Sequence, residues 1–397
     1  MKNYRLLQWA SWQRLSILFV AVIAILSALL IHLRSLAPNL SPTEKITLTS
    51  SSSIQLILHN SLNAPYRLLE WLATKAPSGH LILYSRLPSV FLAVCSLILF
   101  IYILRHWYGP RSTFFGFCIL LSSAWFLHIS RFTGTDIEYF TAVLGLLAIQ
   151  VGLDSHKDNQ LMIYIWLVVN LILLFIPGMI WLFILSIFWQ RNIILNRWHF
   201  LQATWQRLIC LLLASIGLAA LAINFIRTPH LIQQWIGLPV HFAPWLTILE
   251  QFGKSMSALV YQAPYHPELW LGRLPILDAF LSLMLAVGIA FYIQHWQSER
   301  PRMILSYFLI GCLLVAIGGS VSLSIILPLV YLVIVAGISY THYFWLRVFP
   351  RNPIARGIGI VIVTLVIGLS CFYNLQQYFV AWPNNPETTQ IYQPVSP

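Results

Sequence analysis

From Leu161 to Gln190 the chain runs for 30 residues without a charged side chain, interrupted only by Pro177-Gly178 in "FIPGMIW". In hydrocarbon every backbone N–H and C=O must be satisfied internally, which leaves helices or closed barrels. Continuous apolar runs without period-two alternation favour helices. Similar runs recur near 15–33, 87–104, 112–128, 138–153, 161–176, 178–190, 208–226, 276–294, 303–318, 321–340 and 357–374, about eleven in all that could cross a bilayer. Charged residues are 9% of the chain and apolar residues 59%, against about 25% charge in a soluble domain. The expected fold is therefore an all-α polytopic membrane protein, one domain over residues 1–397, without a C-terminal soluble domain. Several runs hold only about 16 residues, roughly 24 Å of helix, which suits a packed bundle better than isolated anchors.

Orientation follows from the basic residues. Lys2, Arg5 and Arg14 precede the first run, which is too long for a cleaved signal and reads as a signal-anchor with a cytoplasmic N-terminus. The 161–190 run could be one kinked helix or a hairpin of two short ones. With a hairpin, Arg191, Arg197, Arg207, Arg300, Arg302, Arg347, Arg351 and Arg356 fall on the cytoplasmic side, and Arg227, Lys254 and Arg273 fall outside. One helix would exchange the two groups. The positive-inside rule selects the hairpin and an extracytoplasmic C-terminus. The net charge of +12 is then mostly orientation signal, and no basic run is interleaved with aromatics as a nucleic-acid groove requires. Cys95, Cys118, Cys210, Cys312 and Cys371 sit in or beside apolar runs without CxxC spacing, so neither a disulfide framework nor a zinc site is expected.

Two outward loops are long. The first, about 36–85, holds a segment whose apolar residues Tyr66, Leu68, Leu69, Trp71 and Leu72 leave Arg67 and Glu70 on the other face. That pattern reads as an interfacial helix with its charges toward water. The second, about 227–273, is Trp-rich and punctuated by Pro. The tail "NLQQYFVAWPNNPETTQIYQPVSP" reads as a short outward extension.

The polar residues of interest gather on this outward side: Glu44 and Lys45, Arg67 and Glu70, Lys75, Arg86, and the cluster Arg131, Asp136, Glu138 in "SRFTGTDIE". Charges at membrane depth usually face a cavity or one another. Arginine pairs bidentately with phosphate, and a carboxylate can take a proton from a nucleophile. Structural readings stand beside these. Arg131 with Asp136 or Glu138 could be an ion pair closing a helical hairpin, and Ser41 to Glu44 is an S-x-x-E capping box. The outward histidines His59, His80, His128, His230, His241 and His266 have neither i,i+4 pairing nor HExxH spacing, a poor basis for a metal site.

The ordered set "YSRLPSV", the basic turn "RHWYGPR" and the turn "SRFTGTDIE", followed by "FIPGMIW" and the closing "YFVAWPNNPET", resembles the GT-C glycosyltransferases. The branch is the one containing protein O-mannosyltransferases and the lipid A aminoarabinose transferase (glycosyltransferase family 39-like). The resemblance covers about residues 36–190. It implies inverting transfer of a sugar from a polyprenyl-phosphate donor to a protein, lipid or polysaccharide acceptor at the outer face of the cell membrane. The resemblance carries two acidic positions over, onto Glu44 and Asp136; with Glu138 of the same turn they are the catalytic candidates, and Tyr66, Arg67, Arg86 and Arg131 are candidates for holding the carrier phosphate. No cofactor is implied, and a divalent metal stays open. Two departures matter: Thr43 stands where the family has a first acid, and Ala64 precedes Pro65 where the aminoarabinose branch has a lysine. They leave room for a non-catalytic membrane scaffold on the same fold. A lipid or sugar transporter is the third reading, weakened by the absence of a detectable internal repeat.

The orientation has a direct test. Cysteines introduced at positions 111, 197 and 302 are expected to be shielded from an impermeant maleimide in sealed cells, and those at 52, 262 and 390 to be labelled. Outside labelling at 197 would overturn the hairpin.

Overall fold

The computed structural model describes residues 20–33, 35–75, 81–155, 161–200 and 204–392; the side chains of 197–200 and several between 204 and 213 are outside that description. Its elements are helical throughout. In chain order they are α1 (Val20–Leu30), α2 (Pro42–Ser50), α3 (Ile54–His59), α4 (Ala64–Thr74), α5 (Leu81–Ser122), α6 (Ala124–Ser130), α7 (Asp136–Ser155), α8 (Leu161–Leu173), α9 (Met179–Phe200), α10 (Thr204–Arg227), α11 (Leu231–Ile236), α12 (Trp245–Val260), α13 (Ala279–Gln294), α14 (Glu299–Ala316), α15 (Leu327–Val348), α16 (Pro353–Gln376) and α17 (Pro386–Tyr392). A short π-helical turn, Gln377–Ala381, joins the last two.

Every expected apolar run falls on helix where it is described, but the expectation of about eleven crossings is not met on length and composition. Among the described residues 5 helices are long and apolar enough to cross a membrane. The others are shorter, such as α8 and α13, or begin with charges, as α14 does. α5 is two helices in one: Gly109 at φ 79° breaks it before Pro110, so the chain reverses at "RHWYGPR" as the sequence suggests.

The charge-free run also divides. α8 ends at Leu173, α9 starts at Met179, and Gly178 between them has φ +75°. A Cβ there would sit 2.7 Å from Val321, so both backbone angle and space call for glycine. The turn is gripped from two sides. Asn63 N–H donates to Phe175 O at 2.9 Å, and Gly178 N–H to Trp235 O at 2.8 Å. The loops about 36–85 and 227–273 therefore converge on the 174–178 turn at one end of the bundle, called here the Glu44 end.

The core centres on α15, whose residues 327–338 are all buried. Its closest approach is to α13, made possible by two glycines. A Cβ on Gly288 would lie 2.1 Å from Val333 O, and one on Gly337 would lie 2.1 Å from Met284 O. Without a hydrophobic drive between helices in lipid, small residues at the crossing let backbones touch and gain dispersion contacts.

Two sequence expectations are corrected here. α4 is amphipathic in the opposite sense: Tyr66, Arg67 and Glu70 are buried against the protein, and Leu68 and Leu72 are exposed. Arg67 turns inward because it closes the ends of neighbouring helices, as described below. The C-terminal tail is more than an extension. Trp382 Nε1 donates to Pro267 O at 3.3 Å, Tyr392 Oη to Glu268 O at 3.0 Å, and Asn39 Nδ2 to Tyr392 O at 2.8 Å. The tail thus joins the two long loops.

Replacing Gly288 or Gly337 with alanine is expected to force α13 and α15 apart and cost about 1–3 kcal/mol, read as a lower unfolding midpoint in detergent. Gly368→Ala, where a Cβ meets nothing within 4 Å, is the control and should leave the midpoint unchanged.

Candidate active site

Ser41 starts α2, and its hydroxyl accepts from Glu44 N–H while the Glu44 carboxylate accepts from Ser41 N–H at 3.0 Å. The capping box read from the sequence is formed. It does not exhaust Glu44. Oε1 also accepts from Arg86 Nε at 3.0 Å and from Thr133 N–H at 3.1 Å, and Oε2 from Arg86 Nη2 at 3.1 Å. A carboxylate offers about four acceptor sites, and all are filled in a residue with no solvent exposure.

Arg86 is equally committed. Beyond Glu44 it donates through Nη1 to Leu33 O and Ala37 O, each 2.9 Å, and through Nη2 to Asn39 O at 3.1 Å. That accounts for the five N–H donors of a guanidinium. None is left for a phosphate. The pair is a clamp that ties α2, the 33–39 segment, α5 and the turn after α6 into one body.

The three charges of "SRFTGTDIE" do not meet. Arg131 reaches back to α1, donating to Ala28 O at 3.3 Å and to Ile31 O, with its guanidinium 5.2 Å from the Tyr378 ring centre and 5.0 Å from that of Phe379. Its Nε is buried and unpaired within the protein. Asp136, half-buried at the start of α7, accepts from the Ser322 hydroxyl on the far side of the turn. Glu138 points a third way and accepts from Tyr66 N–H at 3.1 Å. The hairpin ion pair considered from the sequence is absent among the described residues.

Arg67 serves backbone carbonyls. Nη1 donates to Asn60 O at 2.6 Å and more weakly to Leu62 O, and Nη2 to Ser50 O and Leu56 O. It thus closes the C-terminal ends of α2 and α3, whose last carbonyls have no partner inside the helix. Tyr66 is fully buried, its hydroxyl 2.9 Å from Ser89 Oγ. Beside them Glu70 is wholly buried with both oxygens unpaired, because the nearby Ser51 hydroxyl donates to Thr47 O instead. Burial raises the Glu70 carboxyl from 4.5 to about 7, against a smaller pull from Arg67. Burial lowers Arg67, while Glu70 and Glu138 act the other way.

A carboxylate that sequence reasoning passed over completes the picture. Glu268, half-buried in the second loop, accepts from the Thr43 hydroxyl. The sequence signal was thin, one acid in "YHPELW" with nothing periodic around it. Glu268 lines a cavity of about 10 Å³ together with Arg86, His128, Arg131, Tyr378 and Tyr392, room for one water. His128 lies among the rings of Trp270, Tyr378 and Trp382 at 4.5–5.4 Å, and its Nε2 is unpaired within the protein. Leu36 lines both this cavity and an apolar groove of about 750 Å³ bordered by α1, α5 and α16. Glu138 instead borders a separate apolar groove of about 640 Å³ among α5, α7 and α8. Among the described residues no group of three or more His, Cys, Asp or Glu could hold a metal ion.

No protein-family model matches the chain, and no curated protein matches its sequence. Solved structures do. The fold is similar to that of ArnT from Cupriavidus metallidurans in the apo state, with TM-score 0.50 and 11% identity over 96% of this chain and 77% of that one. ArnT bound to undecaprenyl phosphate gives a TM-score of 0.48, with 11% identity over the same shares. An Archaeoglobus fulgidus oligosaccharyltransferase, tethered to an acceptor peptide containing the NVT sequon, gives 0.55 and 13% identity over 97% of this chain and 59% of that one. This chain spans less than two thirds of the archaeal protein. Both proteins are GT-C members, and at these identities the likeness is one of fold alone: this chain has a helical fold similar to theirs.

Two outcomes follow from the clamp and its neighbour. In Glu44→Gln the new NH₂ must face two N–H donors in either orientation, so the cost should approach the about 3–5 kcal/mol of breaking a buried pair, not the about 1 kcal/mol of a lost cap. Chemical unfolding in detergent measures it. For Glu70, a folded pKa above the unfolded value means that stability is fully present below about pH 4.5 and lost as pH rises to about 7. Wild type should therefore lose stability between pH 5 and pH 8, and Glu70→Gln should lose less.

Proposed function

We propose that the chain transfers a sugar from a polyprenyl-phosphate donor to an acceptor nucleophile at the outer face of the membrane. One observation carries this reading: an apolar groove meets, at Leu36, a small cavity lined by Arg131, His128 and Glu268. An amphipathic donor has that division, a long chain for the groove and a charged head for the charged residues beside its end. The likeness to GT-C folds supports the reaction class, although a fold by itself does not fix a chemistry.

In this mechanism the acceptor's heteroatom attacks the anomeric carbon from the face opposite the phosphate. The new bond forms as the carbon–oxygen bond to phosphate breaks with inversion, and the electron pair leaves on polyprenyl phosphate. The acceptor's proton passes to a carboxylate. Glu268 and Asp136 are the proposed bases, since each has an oxygen beyond its one hydroxyl partner, and Glu44 is assigned to holding the turn between them. Arg131 Nε is one donor for the departing phosphate. Arg273, exposed in the second loop without a hydrogen-bond or ion-pair partner among the described residues, is the second. Arg67 and Arg86 keep the loops folded, and Tyr66 and Glu138 fix α4 against α7. A phosphate leaving group needs positive charge more than protonation.

A second reading has its own support. Thr43 stands where the resemblance places an acid, and Arg67 and Arg86 have their charged ends committed to the protein. A non-catalytic partner subunit would tolerate both features.

Glycosyl transfer from a polyprenyl-phosphate sugar pool, in membranes with matched expression, separates the readings. Glu268→Gln and Asp136→Asn are expected to fold like wild type. The variant that removes the base should lower transfer by about 10²–10⁴-fold. Transfer that survives both changes would remove these bases, and no transfer by wild type across a broad donor panel would favour the partner subunit.

A further inference from the structure

At the opposite end of the bundle from the Glu44 end, two arginines stand without partners among the described residues. Arg105 and Arg111 flank the break at Gly109-Pro110, and both are exposed. Neither has a hydrogen bond or ion pair with a described residue. From Arg86 to Arg105 the helix climbs about 28 Å at 1.5 Å per residue, nearly a full hydrocarbon thickness. Both arginines border a groove of about 870 Å³ whose walls come from α1, both halves of α5, α15 and α16. Ala21, Ile101, Phe114 and Ile360 supply apolar lining; His342 and Thr113, whose hydroxyl donates to Gly109 O at 2.8 Å, are the remaining polar side chains. No carboxylate is among the described residues that line it.

We propose that this groove is a binding site for an anionic phospholipid of the leaflet opposite the Glu44 end, with the headgroup phosphate between Arg105 and Arg111 and an acyl chain against Phe114 and Ile360. The break in α5 builds the site. An unbroken helix would place positions 105 and 111 six residues apart on different faces, whereas the reversal at Gly109 sets both at one mouth. Phe117 also borders the groove assigned above to the sugar donor, so the two grooves adjoin. A hydrocarbon tail reaching across from the donor would gain nothing from two guanidinium groups. A phosphate gains charge-assisted hydrogen bonds from each. Basic pockets between membrane helices are suited to such headgroups.

The site is independent of any glycosyl transfer, and binding alone tests it. The purified full chain is titrated with phosphatidylglycerol and, separately, with phosphatidylcholine of the same acyl chains, and bound lipid is counted by native mass spectrometry. Wild type should retain phosphatidylglycerol at least about tenfold more tightly, from the attraction of each arginine for an anionic headgroup. The double variant Arg105→Gln, Arg111→Gln should lose that preference. The same charge removal at Arg347 and Arg351, exposed but outside the groove lining, should keep it. Ile101→Trp, which fills the groove, should weaken retention of both lipids. Equal retention of the two lipids by wild type would overturn the site. So would a preference that survives the Arg105/Arg111 change, or one abolished equally by the Arg347/Arg351 change, which would mark a diffuse surface charge. Unfolding midpoints near wild type for both double variants certify that binding and not folding was altered.

Discussion

The Glu44–Arg86 pair is the interaction on which the Glu44 end depends. A buried carboxylate and guanidinium are costly to desolvate, and their mutual attraction offsets that cost only when the remaining donors and acceptors are satisfied. Here four acceptor sites and five donors are all occupied, by side chain and backbone from four separate stretches of chain. A pair this completely matched acts as a fastener. It fixes where α1 gives way to the first loop and sets the height of the turn at Thr133.

From that fixed turn the neighbouring charges are dealt outward in different directions. Thr133 N–H is held by Glu44, and Phe132 O accepts from the Ser89 hydroxyl at 2.5 Å. With both ends of the turn pinned, Arg131 must point back to α1, Asp136 toward Ser322, and Glu138 toward α4. Three charges crowd one connection because each serves a different neighbour. The same economy governs Arg67, whose charged head answers backbone carbonyls and whose helix leaves Leu68 and Leu72 exposed.

The two ends of the bundle thus use arginine differently. At the Glu44 end Arg67, Arg86 and Arg131 are buried and bonded to carbonyls or carboxylate, so they build the architecture. At the other end Arg105 and Arg111 are exposed and have no hydrogen-bond or ion-pair partner among the described residues, set beside apolar walls. On the Glu44 side the groups with capacity left include Glu268, Asp136, Arg131 Nε, Arg273 and His128, most of them from the second loop or the turn, besides the wholly buried Glu70 of the first loop and one oxygen of Glu138.

The membrane class, the all-helical fold, the break at Pro177-Gly178 and the reversal at Gly109-Pro110 could be read from the sequence. They follow from local causes: runs without charge, and residues with restricted or unusual backbone angles. The capping box at Ser41 and Glu44 was legible for the same reason, since its two partners are three residues apart. What tertiary structure alone decided was which way each charge faces. Arg67 and Glu70 share a helix face that the sequence assigned to water, but the carbonyls of α2 and α3 lie there, and a buried carbonyl without a partner is costlier than a turned helix. Glu44 meets Arg86 across 42 positions, and Thr43 meets Glu268 across 225. No local pattern encodes such distances, because a hydrogen bond depends on where two segments end up in space, and the order of residues along the chain constrains that only through the whole fold.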